Sequence, residues 1–389
     1  MKQKLSYYCE GITDGSHNPP QSGDVSDYLM ISSKNIFDDN ITLDAPRFLS
    51  KEQFLIENKR TNIKPGDVLM TIVGTVGRSA VVNSSLGKIT LQRSVAVLHP
   101  NRDICNSRFL MYALISKRSF FEREAHGVAQ KGIYLKQLSD IELDFPDLEQ
   151  QLLIINKLDR INQIIYKRKE QLEFLDAIIK ARFVEMFGDN MENKRNFPIE
   201  SLDVHANIVS GITKGRKTKE LNLTEVPYMA VSNVKDGYID WTTVKTILAT
   251  SSEIEQYRLQ TNDVLMTEGG DPDKLGRGAL LTTVPENCIH QNHIFRVRLD
   301  SRVNPVYFEE YLQTARPKRY FLKAAKQTTG IASINMTQLR HMPLILPPME
   351  EQKEFADFVH RVDKSKVVVQ KALDETQTLF DSLMQEYFG

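Results

Sequence analysis

Cysteine is scarce in this chain of 389 residues: three are present, Cys9, Cys105 and Cys288, odd in number and far apart. No Cys-x-x-Cys pair occurs, so they support neither a disulfide framework nor a zinc knuckle. They read as reduced thiols with a packing role, as expected of a cytoplasmic protein. Long hydrophobic runs are missing as well. No stretch approaches the ~20 apolar residues of a membrane span, and Met1 to Glu10 lacks the apolar core of a secretion signal. Nor is there an excess of charge of one sign, since 50 basic residues balance 50 acidic ones. That balance argues only weakly against nucleic-acid binding, because the electrostatic footprint is set by the contacting face and not by the total. The remainder is ordinary globular composition, 41% hydrophobic and 26% charged, with length for two or three domains.

Recognisable catalytic groups are missing too. Asn18-Pro19-Pro20 has the start of the tetrapeptide with which amino-methyltransferases hold an extruded base, but Gln21 follows where an aromatic ring must stack. Gly276-Arg277-Gly278 lacks a third glycine and opens no helix, so no dinucleotide or S-adenosylmethionine loop is formed. The run from Ser210 to Thr218 lacks the glycine spacing of a phosphate-binding loop, which removes ATP. Asp271-Pro272-Asp273 has no Glu-x-Lys partner, as a nuclease centre would need. His290 and His293 stand three apart at the mouth of an expected strand and point to opposite faces, a pattern for structural or base-contacting histidines more than for metal ligands. Asp67 and Asp263 each follow turn residues and are expected to turn the chain into a strand.

What is present is a repeat. Asp67-Val68-Leu69-Met70-Thr71 returns as Asp263-Val264-Leu265-Met266-Thr267, Gly77-Arg78 as Gly276-Arg277, and Gln92 as Gln291. Gln137-Leu138 matches Gln338-Leu339, Glu149 and Gln151 match Glu350 and Gln352, and Phe187-Gly188 matches Phe388-Gly389. One unit is long enough to hold its own core, so this is a tandem pair of domains and not a solenoid. Such a pair implies a ligand that also has two halves. Each copy opens with short β-rich runs: Tyr28 to Ser33, Asp67 to Val73, Ser79 to Val82 and Ser94 to Leu98, then Pro227 to Ser232, Asp263 to Thr267, Gly278 to Thr283 and Ile294 to Leu299. Amphipathic patches at Phe109 to Phe121 and Tyr307 to Phe321 predict helices. Basic residues cluster at Lys214, Arg216, Lys217 and Lys219, and again from Arg316 to Lys326 beside Tyr320 and Phe321.

Each copy closes on a heptad seam. The first reads Leu158, Ile161, Ile165, Arg168, Leu172, Leu175, Ile179, Arg182 and Met186; the second reads Val359, Val362, Lys366, Val369, Leu373, Thr376, Phe380, Leu383 and Tyr387. Where one seam carries Arg168, Arg182 or Ile165, the other carries Val369, Leu383 or Lys366. Complementary seams suit packing on each other within one chain, so Ile165, Leu172, Leu175 and Ile179 are expected to pack against Val362, Val369, Leu373 and Phe380 in an antiparallel pair. The fold class is α+β: a mixed α/β domain over 1–147, a spacer helix over 148–189, a second domain over 190–347 and a second helix over 348–389, with a pseudo-two-fold relation.

This order of parts resembles the DNA-specificity subunit of type I restriction–modification systems over essentially the whole chain. The residues that carry the resemblance are Ile12-Thr13-Asp14-Gly15-Ser16-His17, Lys64-Pro65-Gly66-Asp67-Val68-Leu69-Met70-Thr71 with Gly77-Arg78 and Gln92, and Pro347-Pro348-Met349-Glu350-Glu351-Gln352. The resemblance implies two target-recognition domains, each reading half of a split site in double-stranded DNA. It implies a non-catalytic scaffold that docks two methyltransferase (modification) subunits and restriction/translocase subunits. Adenine-N6 methylation and ATP-dependent cleavage would then belong to partners that bring S-adenosylmethionine, ATP and Mg. Within that frame the expected DNA-contacting residues are Thr13, Ser16, His17, Lys34, Asn35, Arg78, Gln92 and Arg93 in the first copy. In the second they are Lys214, Arg216, Lys217, Asn233, Lys235, Arg277, Gln291 and Asn292. The competing readings are the recognition module of a single-chain methyltransferase or nuclease, and a DNA-independent assembly scaffold.

Overall fold

The structure is a computed structural model that describes residues 2–125, 132–188, 191–216, 222–270, 275–328 and 331–389. In the first repeat the chain runs through β1 (Cys9–Asp14), β2 (Tyr28–Ile31), β3 (Arg47–Phe48), α1 (Lys51–Thr61), β4 (Val68–Thr71), β5 (Ser79–Val81), β6 (Lys88–Leu91) and β7 (Val95–Pro100). Helices α2 (Ser107–Ser116), α3 (Arg118–Glu124) and the long α4 (Leu148–Phe187) follow. The second repeat has β8 (Ala206–Ser210), β9 (Thr224–Met229), β10 (Lys245–Ala249), α5 (Ser251–Tyr257), β11 (Val264–Thr267), β12 (Gly278–Leu280), β13 (Ile289–His290) and β14 (Ile294–Leu299). It closes with α6 (Pro305–Leu312), α7 (Ala315–Ala324) and the long α8 (Met349–Phe388).

The matched pentapeptides supply the central strands, and the period-two alternation of a strand explains the layering. Val68 and Met70 face a core built with α2, while Leu69 faces a second core with Ile31, Ile89 and Val97. Val264 and Met266 likewise face Tyr307 and Phe308 of α6, and Leu265 faces Met229 and Val234. Each repeat is therefore three-layered. An antiparallel sheet, in the order β1-β7-β4-β5 or β8-β14-β11-β12, lies between helices and a smaller mixed sheet. The smaller sheets are β3-β2-β6, with β2 and β6 parallel, and β10-β9-β13, with β9 and β13 parallel. Full burial of each such Leu, Val or Met stabilises by about 1.5–3 kcal/mol.

The expected helical patches are each split in two, α2 from α3 at Lys117 and α6 from α7 at Gln313-Thr314. Asn106 and Asn304 cap the first member of each pair, accepting from the Arg108 and Val306 amides at 2.9 Å. Asp67 and Asp263 turn the chain as expected: one carboxylate oxygen accepts from the Lys64 or Gln260 amide at 2.7 Å. Gly66 (φ 91°) and Asn262 (φ 73°) take the left-handed backbone that this turn requires. Cys105 and Cys288 are buried free thiols, pushed up to about 12 by burial.

The chain forms two compact units, residues 1–169 with 371–389 and residues 170–370, so each unit holds part of both long helices. In the first unit the start of α4 runs antiparallel to the end of α8. Ile155 and Leu158 share a core with Met384 and Phe388, Lys157 reaches the Tyr387 hydroxyl at 3.2 Å, and Arg168 donates to the Ala372 carbonyl and the Thr376 hydroxyl. In the second unit Ile179 shares a core with Val359 and Val362, Lys366 pairs with Asp176 at 2.6 Å, and Arg182 pairs with Glu354 at 2.7 Å. Every residue of both heptad seams is buried or half-buried. Of the eight packing residues named from the sequence, Ile165, Ile179, Val362 and Leu373 are buried, and Leu172, Leu175, Val369 and Phe380 are half-buried. Phe183, Phe187 and Phe355 lie off the seam and pack around Tyr307 of α6. They join helix to recognition domain, which a heptad count does not reveal.

Candidate nucleic-acid interface

In each repeat the registers bring the ends of several strands together. Asp14 at the end of β1 lies opposite Ala96, Thr71 at the end of β4 opposite Val95, and Ser79 at the start of β5 opposite Met70. Ile31 and Leu91 end their parallel pair at the same place. The same holds for Ser210 opposite Phe295, Thr267 opposite Ile294, Gly278 opposite Met266 and Met229 opposite His290.

Backbone bonds stitch these ends together identically. Ser16 donates to the Leu91 carbonyl at 2.8 Å, Arg93 to Ser16 at 2.9 Å and Gln92 to Ile31 at 2.9 Å. In the second repeat Ile212 donates to His290 at 2.8 Å, Asn292 to Ile212 at 3.0 Å and Gln291 to Met229 at 3.0 Å. The approach is so close that a Cβ on Gly15 would lie 2.1 Å from the Leu91 oxygen, and one on Gly211 2.0 Å from the His290 oxygen. Only glycine fits either position.

Most residues named from the sequence stand at or beside these ends. His17, Lys34, Arg93 and Lys214 are exposed there, and Ser16, Gln92, Gln291 and Asn292 are half-buried. Lys235 is half-buried in the turn after the Asn233 segment, its amide donating to Tyr238. Arg78 is half-buried with its guanidinium 5.2 Å from the centre of the Phe37 ring, and Arg277 is half-buried with its Nε unpartnered. Thr13 accepts from Arg60 at 3.4 Å; Arg60 also binds Asp14, which holds His17 at 2.8 Å. Lys217 lies outside the described residues.

Three of the named residues are framework instead. Asn35 is 3% exposed, accepts from the Ser32 amide at 3.1 Å and donates to the Asp44 carbonyl at 2.9 Å. Asn233 is fully buried, accepts from Ala230 at 2.9 Å and donates to Asp240 and Thr243, both at 3.0 Å. These amides hold the loop after β2 and β9 and have no face to offer a base. Arg216 is spent on Glu253 through its Nε and Nη2 groups, one to each carboxylate oxygen, with a further bond from Nη2 to the Leu248 carbonyl at 3.1 Å. The Arg216 guanidinium lowers the Glu253 carboxyl to about 2, so the charge that seemed free for phosphate is neutralised inside the domain.

The matched polar residues divide the same way. Gln151 accepts from the Asn106 amide at 2.8 Å and donates to Ile104 and Pro146; Gln352 accepts from Asn304 at 2.8 Å and donates to Arg302 and Pro347. Gln137 and Gln338 cap short helices by accepting from Tyr134 and Asn335. Gln291 Oε1 accepts from the Val231 amide at 3.3 Å, but among the described residues the guanidinium groups of Arg78 and Arg277 and the side-chain amide N–H groups of Gln92 and Gln291 make no hydrogen bond within the fold.

Residues that sequence reasoning missed include Arg60, Arg118, which binds Asp38, and Glu268, which binds His293 at 2.5 Å. Their partners lie tens of residues away, so no local pattern marks them. His290 is fully buried between the Tyr257 and Val209 carbonyls, and burial lowers it to about 4. His293 stands on the surface, so the two histidines do not converge, and among the described residues no His, Cys, Asp and Glu cluster suits a metal ion.

A family model described as the Type I restriction modification DNA specificity domain matches residues 21–174 and again 206–376. The EcoKI specificity subunit, a type I restriction enzyme subunit of Escherichia coli (strain K12), is 24% identical over 391 residues, covering 93% of this chain and 82% of that protein. The StySPI specificity subunit of Salmonella potsdam is 24% identical over 383 residues, covering 92% and 80%. Among solved structures, the S subunit of the type I system of M. genitalium matches with a TM-score of 0.54 at 14% identity, covering 100% of this chain and 96% of that one. A chain from a type I system studied for its complex assembly and conformational transition matches with a TM-score of 0.57 at 14% identity, covering 100% and 97%. At such identity these structures establish likeness of fold alone.

Proposed function

Because the chain belongs to the type I restriction modification DNA specificity family, we propose that it reads a split target in double-stranded DNA, one half with each repeat, and does no chemistry itself. The observation that carries this reading is the pair of strand-end clusters. Both repeats spend Asp67 and Asp263, Gln137 and Gln338, and Gln151 and Gln352 on the fold, yet leave the donors of Arg78 and Arg277 and of Gln92 and Gln291 unspent at the same place. Donors repeated twice and unused by the fold serve something outside it. Their matched placement suits phosphate or shared groove contacts, as does the exposed amine of Lys214, while unmatched neighbours such as His17, Arg93 and Asn292 suit the bases that distinguish the halves.

The partners under this proposal are two modification subunits docked on the long helices, with restriction/translocase subunits joining them. S-adenosylmethionine, ATP and Mg reside on those partners, and the complex, not this chain, methylates adenine and cleaves DNA. Among the described residues no helix is long and apolar enough to cross a membrane; we place the complex in the cytoplasm.

The test is the methylome of cells that express this chain with its modification subunit. A split methylated motif is expected, and exchange of residues 1–147 for the equivalent domain of a relative should change one half of it. An uninterrupted motif, or an exchange that alters both halves, would overturn the reading; methylation by the chain alone would make it the recognition part of a single-chain enzyme.

A further inference from the structure

At the strand ends of the second repeat three side chains form a relay with no counterpart in the first. Glu268 follows β11, and Asn292 and His293 precede β14. The Glu268 carboxylate accepts from Nδ1 of His293 at 2.5 Å, and in the tautomer with its proton on Nδ1 the ring presents the lone pair of Nε2 on its other side. Nδ2 of Asn292 lies 3.3 Å from that nitrogen and donates to it. Their backbones are pinned as well: Glu268 donates to the His293 carbonyl at 3.0 Å, and Asn292 is held on Ile212.

The relay settles which way the Asn292 amide points. With one N–H on His293, its second N–H and its Oδ1 remain, coplanar and side by side, at the end of the sheet where the interface residues gather. One donor beside one acceptor is the complement of the adenine major-groove edge, which offers N7 as acceptor and the N6 amine as donor. Guanine offers two acceptors there and would set O6 against Oδ1. The matching positions of the first repeat hold Ile72, Arg93 and Ser94, and the Ser94 hydroxyl accepts from the Ser33 amide at 3.1 Å. The relay therefore belongs to one half only, as a determinant of sequence must and a framework element need not.

We propose that Asn292 reads one adenine in the half-site of the second repeat, with Glu268 and His293 as positioning residues that fix its amide. This rests on the DNA-reading role argued above.

The test uses the chain assembled with its modification subunits. For Asn292→Ala the methylome should keep its first half-motif, which also reports that the complex is folded, and should become degenerate at one adenine of the second half. In binding to target duplexes, replacing that adenine by 7-deazaadenine should weaken the unmodified complex about tenfold or more and leave the Asn292→Ala complex unaffected. Glu268→Ala, which removes the acceptor of the His293 Nδ1–H, should relax the same position with an unchanged salt dependence, since no phosphate contact is lost. An intact second half-motif in Asn292→Ala, or degeneracy at a base other than adenine, overturns the assignment. An intact motif in Glu268→Ala overturns the relay. Failure of the unmodified complex to methylate a split motif is a separate result, because it removes the functional reading itself.

Discussion

Replacing Gln352 by Ala should loosen the joint between α8 and the second recognition domain. The side chain is 1% exposed and makes three bonds: it accepts from the Asn304 amide at 2.8 Å and donates to the carbonyls of Arg302 at 3.2 Å and Pro347 at 2.8 Å. Truncation strands one part-buried N–H, one part-buried C=O and one buried C=O, that of Pro347. An unsatisfied buried donor costs about 1–3 kcal/mol, and a carbonyl less because it keeps a second lone pair, so the sum is about 2–4 kcal/mol. For a unit of this size each kcal/mol moves the midpoint by about 2–4 °C, and a fall of roughly 5–15 °C is expected. Differential scanning calorimetry reads this directly, with Gln352→Met as the variant that keeps the volume and loses only the hydrogen bonds. Gln151→Ala should produce the same fall in the transition of the other unit, where the equivalent bonds go to Asn106, Ile104 and Pro146. A midpoint within 2 °C of the parent in Gln352→Met, at about 1 kcal/mol or less by the same conversion, would refute the claim that these bonds bear on the joint.

Two further outcomes follow from the helix pair and the basic loop. Insertion of one heptad in each long helix, between Lys169 and Glu170 and between Gln370 and Lys371, keeps the apolar faces aligned and adds about 10 Å of helix. The gap in the methylated motif should change by about three base pairs at 3.4 Å per step, and an unchanged gap in an active variant would show that the helices do not set it. Lys214→Ala should weaken binding to all sequences and reduce the salt slope by about 1, as read by anisotropy titrations at several salt concentrations, whereas Arg216→Ala should leave the slope alone and lower stability through the loss of Glu253. Because the folded Glu253 titrates at about 2, below its ordinary value near ~4.3, the stability it supplies is complete above that value and is lost as pH falls towards 2. Melting curves of Arg216→Ala and the parent should therefore converge in that acid window, and parallel curves down to pH 2 would refute the pairing.

The sequence by itself determined what local pattern can encode. The matched peptides Val68-Leu69-Met70-Thr71 and Val264-Leu265-Met266-Thr267 are strands because alternate residues must enter two different cores. The long helices are legible because a heptad seam repeats over many turns, with Gln151 and Gln352 marking their starts. Strands such as Lys88–Leu91 and Lys245–Ala249 escaped notice because they form by pairing with segments far away in the chain, a parallel partner in one case and an antiparallel one in the other. Asn35 and Asn233 carry the same amide as Asn292, and nothing in composition or spacing separates them. Burial decides: two amides are enclosed by backbone carbonyls and amides, and one is left facing out beside His293. Arg216 and Lys214 likewise share one basic loop, and only the fold brings Glu253 to neutralise the first and leave the second exposed. A side chain's chemistry is written in the sequence, but its availability depends on which partners the tertiary structure delivers to it.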